Sequence, residues 1–105
     1  MSTNKKEQVK SDLLYESFLA LQSVDECKNF LKDLCTMSEL RAMEQRLEVA
    51  VLLSDGMIYN DILERTGASS ATISRVNRAL QYGADGYQTV LPRILPKQDC
   101  EDKEA

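Results

Sequence analysis

The 105-residue chain contains no histidine and no tryptophan. Without histidine it lacks the side chain that most often acts as a general acid or base near neutral pH, and every zinc site built on imidazole is excluded. Aromatic residues make up only 6%, beside four glycines and two prolines. So few rings and turn formers argue against a β-sandwich or barrel, which needs a turn signal about every ten residues. The three cysteines, Cys27, Cys35 and Cys100, include no Cys-x-x-Cys pair. They read as reduced thiols, the first two packing as small hydrophobes and Cys100 exposed. No apolar run approaches the roughly 20 residues of a membrane-spanning helix. The opening MSTNKKEQ has no apolar segment of the signal-peptide kind, so a cytoplasmic location is expected.

What remains is 43% hydrophobic and 29% charged, the balance of a soluble globular protein of one small domain. So short a chain buries a modest core, which leaves room for a second subunit to complete it. The net charge of −4 is unevenly spread: residues 1–10 carry +2, 11–55 carry −5, 56–82 carry +1, 83–97 carry +1 and 98–105 carry −3. Bulk positive charge is therefore not how this chain would meet a nucleic acid. The mildly basic stretch lies in 56–97.

Helical periodicity runs through the chain, with no strand signal. From Asp12, the positions Leu14, Phe18 and Leu21 fall on one face. Ser23-Val24-Asp25-Glu26 is a capping box that opens a second helix with Cys27, Phe30, Leu31 and Leu34 on its apolar side. Thr36-Met37-Ser38-Glu39 is another, and it opens the longest helix, whose stripe Leu40, Met43, Leu47, Ala50 and Val51 widens into the unbroken apolar run 49–53. That width predicts burial on all sides in a core shared with a partner subunit. Ser54-Asp55-Gly56 ends it. A short helix over Tyr59–Thr66 stops at Gly67, another runs from the cap Ser69 to Gln81 or Tyr82, and a last segment, 87–95, is bent or restarted at Pro92. The expected organisation is a flexible arm at 1–10, dimerisation helices over 11–55, two short helices over 59–81, a C-terminal helical segment at 87–95, and an acidic tail at 96–105. Lys5, Lys6 and Lys10 make the arm a solubilising terminus, and Tyr82 and Tyr87 are expected to pack the C-terminal segment. The fold class is all-α.

The region 59–78 holds the informative pattern. Two short helices that cross steeply need a residue free to take positive φ between them, and Gly67 occupies that place. Ile62, Ala68, Ile73 and Val76 are spaced to bury between the helices, and Leu80 extends their stripe. The opposite face of the second helix carries Ser69, Ser70, Ala71, Ser74, Arg75 and Arg78. Small residues let that helix end approach base edges, its free N–H groups favour phosphate, and the two arginines add charge one turn further on. This is the pattern of a DNA-reading helix-turn-helix. An overall negative charge does not oppose it, because charges beyond about 8 Å are screened in physiological salt.

The runs Asp33-Leu34-Cys35-Thr36, Glu39-Leu40, Gln45-Arg46 and Val49-Ala50, followed by Thr66-Gly67-Ala68-Ser69-Ser70-Ala71-Thr72-Ile73-Ser74-Arg75-Val76-Asn77-Arg78, resemble the Trp repressor superfamily, and within it the Trp repressor-like proteins of the YerC/YecD type. The resemblance spans roughly residues 10–95 and implies an intertwined, all-helical homodimer that binds DNA. It also implies that Ser69, Ser70, Ala71 and Ser74 enter the major groove. Asn60 falls where Trp repressor has a base-contacting arginine; an asparagine suits adenine instead. The positions that hold the corepressor in Trp repressor correspond to Thr36, Arg46, Thr72 and Arg75, a candidate effector pocket. Val76 departs from the pattern, standing where Trp repressor has a glycine beside the bound indole. A branched side chain crowds that space, so tryptophan is not expected to bind, and a different small molecule stays open.

The expectation is a homodimeric, sequence-specific transcriptional regulator, a repressor by promoter occlusion, with operator DNA and a second copy of itself as partners. No metal or other cofactor is implied: the carboxylates Asp12, Glu16, Asp25, Glu26 and Asp33 lack ligand spacing, and no serine has a base beside it for nucleophilic catalysis. An enzyme is therefore not expected. The alternative is a helical dimer that docks another protein without touching DNA.

Overall fold

The computed structural model describes residues 12–96, and the N-terminal arm with its lysines, Cys100 and the acidic tail beyond residue 96 lie outside them. The described residues form helices and no strand. Helix α1 covers 12–19, α2 Val24–Leu34, α3 Met37–Ser54, α4 Tyr59–Thr66, α5 Ser70–Tyr82 and α6 Gly86–Ile94. α1 ends before Leu21, where Ala20 and Leu21 turn back onto the carbonyls of Glu16, Ser17 and Phe18.

The local chemistry sets these boundaries. Ser23 Oγ accepts the Glu26 N–H at 3.1 Å, and the Glu26 carboxylate accepts the Gln22 N–H at 2.9 Å. At the next start, Thr36 Oγ1 accepts from Glu39 N–H at 3.0 Å while the Thr36 N–H donates to Glu39 Oε1 at 2.9 Å, the reciprocal capping box. α4 ends at Gly67 with φ +74°, a left-handed conformation that would strain any residue with a Cβ. Its N–H closes the helix on the Leu63 carbonyl. Across the turn, Ser69 caps α5 by accepting from Thr72 N–H. α6 runs unbroken through Pro92 rather than restarting there.

The chain divides into two compact units between Leu40 and Arg41, inside α3. In the first, Phe18 and Phe30 meet edge to face with ring centroids 6.1 Å apart. None of its described residues is buried. Leu13, Leu19 and Val24 are 65%, 86% and 70% exposed.

The second unit holds the core. Val49, Ala50 and Leu52 of α3 are buried with Ile62 of α4, Ala68 of the turn, Ile73 and Val76 of α5 and Leu91 of α6. Val51, Leu53, Leu80 and Tyr87 pack half-buried against them. Of the apolar run 49–53, Val49, Ala50 and Leu52 are buried within the chain, while Val51 and Leu53 stay half-buried. The other expected C-terminal packing residue, Tyr82, is exposed, since it lies on the face of α5 opposite Ile73 and Val76.

Two substitutions separate the turn from the core. Gly67→Ala should lower the unfolding free energy by about 1–2 kcal/mol, the usual left-handed penalty. Ile73→Ala, at a fully buried site, should lower it by about 2–5 kcal/mol. Urea unfolding followed by circular dichroism checks both, and equal losses would contradict the division.

Candidate nucleic-acid interface

The two short helices α4 and α5 form a pair joined by the turn at Gly67. Its inner surface is apolar: Ile62 and Ile73 are fully buried, with Val76 and Ala68 close to it. The turn is closed by one threonine. Thr66 Oγ1 donates to the Ile62 carbonyl at 2.8 Å and accepts from the Ala68 N–H at 3.0 Å.

Burial on one side dictates what the other presents. At 100° per residue, the α5 positions opposite Ile73 and Val76 are Ala71, Arg75 and Arg78, with Ser70 and Ser74 at their flank. All five are exposed. α5 carries two arginines and no carboxylate, so its outer face is cationic along its length. The first N–H groups of the helix have no carbonyl one turn back to receive them, and with the helix dipole they favour an anion at that end.

Of the residues expected to read DNA, Ser70, Ala71, Ser74, Arg75 and Arg78 share this side of α5. Ser69 is exposed, but its hydroxyl accepts from the Thr72 N–H at 3.1 Å and donates to Thr72 Oγ1 at 3.1 Å, so it serves the cap. Ser70, Ala71 and Ser74 are left to meet a ligand. Asn60 is exposed in the first turn of α4. The outer surface of α4 also carries Asp61 and Glu64 beside Arg65, which confines the basic surface to α5.

The four residues of the candidate effector pocket have separate occupations. Thr36 and Thr72 use their hydroxyls in helix caps. Arg46 is half-buried on α3 and Arg75 is exposed on α5. Val76 is 1% exposed and belongs to the core.

Three neighbouring features escaped the sequence reading. Tyr82 is 81% exposed and follows Arg78 one turn on, extending the outer face of α5; its spacing from Arg75 and Arg78 was the available signal. Ile58 stands at the N-cap of α4 with no side-chain cap bond and is 63% exposed. Gln45 of α3 donates from Nε2 to the Thr66 carbonyl at 3.3 Å, a bond between residues 21 apart that no local pattern signals.

Comparison with known proteins bears on this geometry. The family model described as Trp repressor protein matches residues 9–95. The chain belongs to the Trp repressor family. It is 49% identical over 83 residues to the uncharacterized protein YerC of Bacillus subtilis (strain 168), covering 79% of this chain and 80% of that one. Among solved structures, it superposes on a TrpR-like protein from Eubacterium eligens ATCC 27750 with a TM-score of 0.81, at 46% identity over 90% of this chain and 99% of the other. A Staphylococcus aureus protein solved under a provisional Trp repressor designation gives the same TM-score at 41% identity, over 90% of this chain and 94% of that one. Membership in the Trp repressor family indicates a DNA-binding regulator. No described helix is long and apolar enough to cross a membrane.

The cap at the head of α5 can be tested by itself. Ser69→Ala should cost about 1 kcal/mol of stability. The loss should appear first as faster amide hydrogen exchange in the opening turn of α5. Unchanged exchange there would show that Ser69 does not hold the helix start.

Proposed function

We propose that this chain is a sequence-specific, homodimeric transcriptional regulator, a repressor rather than an enzyme, that places the N-terminal end of α5 in the DNA major groove. The observation that carries the reading is the two-sided helix: Ile73 and Val76 buried within the chain, Ser70, Ala71, Ser74, Arg75 and Arg78 exposed on the reverse. Ser70, Ala71 and Ser74 are small enough to let the helix end reach base edges, and Asn60 offers the amide that pairs with adenine. Arg75 and Arg78 neutralise phosphates on the groove walls. The site of action is the cytoplasm, and the output is occlusion of a promoter.

The proposed dimer rests on the first unit. A segment with an aromatic pair and no buried residue among those described cannot offset the entropy of its own ordering. A second copy is the partner that supplies the missing burial. Two α5 helices related by a twofold axis would then meet successive major grooves about 34 Å apart, so the operator would be a near-palindrome.

No metal or cofactor is part of the proposal, and tryptophan is not its effector. Arg46 and Arg75 could accept a carboxylate, but Val76, where Trp repressor has a glycine beside the bound indole, is a branched side chain seated in the core. Calorimetric titration of tryptophan into the protein should give no binding heat at micromolar ligand, and a saturating heat would reverse this point.

Selection of bound fragments from random DNA tests the central claim. A shared, symmetric motif is the expected result. Enrichment of no motif would favour the alternative, a helical dimer that docks a protein. With an operator in hand, Arg75→Ala and Arg78→Ala should each weaken binding and reduce the salt slope by roughly one unit. Unchanged affinity and slope would remove both contacts.

A further inference from the structure

We propose that Asp85-Gly86, at the junction of α5 and α6, is a modification site, where the main chain isomerises through a cyclic imide to an isoaspartyl linkage and loosens α6. The site stands whether or not the chain binds DNA.

The chemistry is intramolecular and needs only water. The Gly86 amide nitrogen attacks Cγ of Asp85 and forms a C–N bond that closes the imide. A carboxyl oxygen leaves as water, taking the amide proton with it. Water then adds back to the imide. Opening at the original main-chain carbonyl leaves the chain running through Cβ and Cγ, with that carbonyl released as a free α-carboxylate. The composition is unchanged and the main chain is longer by a methylene. Glycine offers the least hindered nitrogen for the attack, since it carries no Cβ.

The dipeptide Asp-Gly occurs at 55–56 and at 85–86. All four residues are exposed, but they are held differently. Closure needs rotation about the Cα–C bond of the aspartate, which swings Cγ toward the next nitrogen. At Asp55 both sides of that bond are tied. Its N–H donates to the Val51 carbonyl at 3.0 Å, and the Gly56 N–H donates to the Leu53 carbonyl at 3.0 Å. At Asp85 only the far side is tied, by Thr89, whose N–H and Oγ1 donate to the Asp85 carbonyl at 3.1 Å and 3.0 Å. Among the described residues, neither the Asp85 N–H nor the Gly86 N–H meets an acceptor, and the Asp85 carboxylate caps nothing. The near side can therefore turn while the peptide at the head of α6 stays in place, and Gly86 gives up no bond on reacting. Asp85 also starts from φ +66°, a left-handed conformation with a steric cost for any residue with a Cβ, so rotation away from it relieves strain.

The product acts on α6. The Asp85 carbonyl receives the first bond of that helix, from Thr89, and in the isoaspartyl form it has left the main chain. The added methylene also displaces α6, whose Leu91 is buried in the core. The new α-carboxylate is the group that isoaspartyl carboxyl methyltransferases esterify, so the modified chain becomes a substrate for that class of enzyme.

The test ages the full-length protein near neutral pH, in buffer and in urea, labels it with such a methyltransferase and a radioactive methyl donor, and maps the label to peptides. In the folded protein, isoaspartate should build up at 85 about two- to tenfold faster than at 55, the rate equivalent of the hydrogen bond that Gly56 has to break. In urea the two identical dipeptides should react at like rates. Gly86→Ala should suppress the label at 85, and its methyl group meets no atom within 4 Å, so the fold is kept. Asp85→Asn, which loses ammonia more readily than the acid loses water, should raise it. The aged protein should exchange amide hydrogens of 86–91 faster than the fresh protein. Absence of label at 85, equal rates at both sites in the folded protein, a preference for 85 that survives in urea, or unchanged exchange in α6 overturns the proposal.

Discussion

The contact on which the structure depends is the burial of Val49 and Ala50 of α3 against Ile62, Ile73 and Val76 of the α4–α5 pair. Two helices of 8 and 13 residues are too short to persist in water unaided. Each has one apolar stripe, and both stripes are satisfied by the same few side chains of α3. The outer face of α5 follows from this. Once Ile73 and Val76 point inward, Ala71, Arg75 and Arg78 have no other direction to point.

Burial is unequally distributed along the described residues. Those from Arg41 onward contain a core, while those before it contain none. The same helix, α3, belongs to both units. Its first turn, opened by the Thr36–Glu39 capping box, lies in the unit that lacks internal burial. Its later residues Val49, Ala50 and Leu52 lie in the core of the second unit.

Much of this was legible beforehand because the signals are local. Capping boxes at Ser23 and Thr36, the glycine at 67 and the serine cap at 69 each act over three or four residues, so their outcome is the same in nearly any tertiary setting. The inward face of the α4–α5 pair was legible for a related reason, since Ile62, Ala68, Ile73 and Val76 recur at helical spacing on either side of Gly67. The burial of Val49, Ala50 and Leu52 against the chain's own later helices was not legible. A wide stripe states how much of a helix is covered and is silent on what covers it, whether a second subunit or the chain's own later helices. The exposure of Tyr82 and the bond from Gln45 to Thr66 were hidden likewise, as both depend on residues far away in the chain.

The sequence by itself determined the secondary structure, the position of the turn and the residues able to face a phosphate or a base, because hydrogen bonding at helix ends and the 3.6-residue period are short-range rules. Tertiary packing decided which of those residues remain free. Ser69 and Thr72 are engaged in a cap, Val76 is in the core, and Ser70, Ala71, Ser74, Arg75 and Arg78 are open to a ligand. The physical reason is that a side chain has one set of contacts to make, and only the assembled helices settle whether the protein interior or the solvent side receives them.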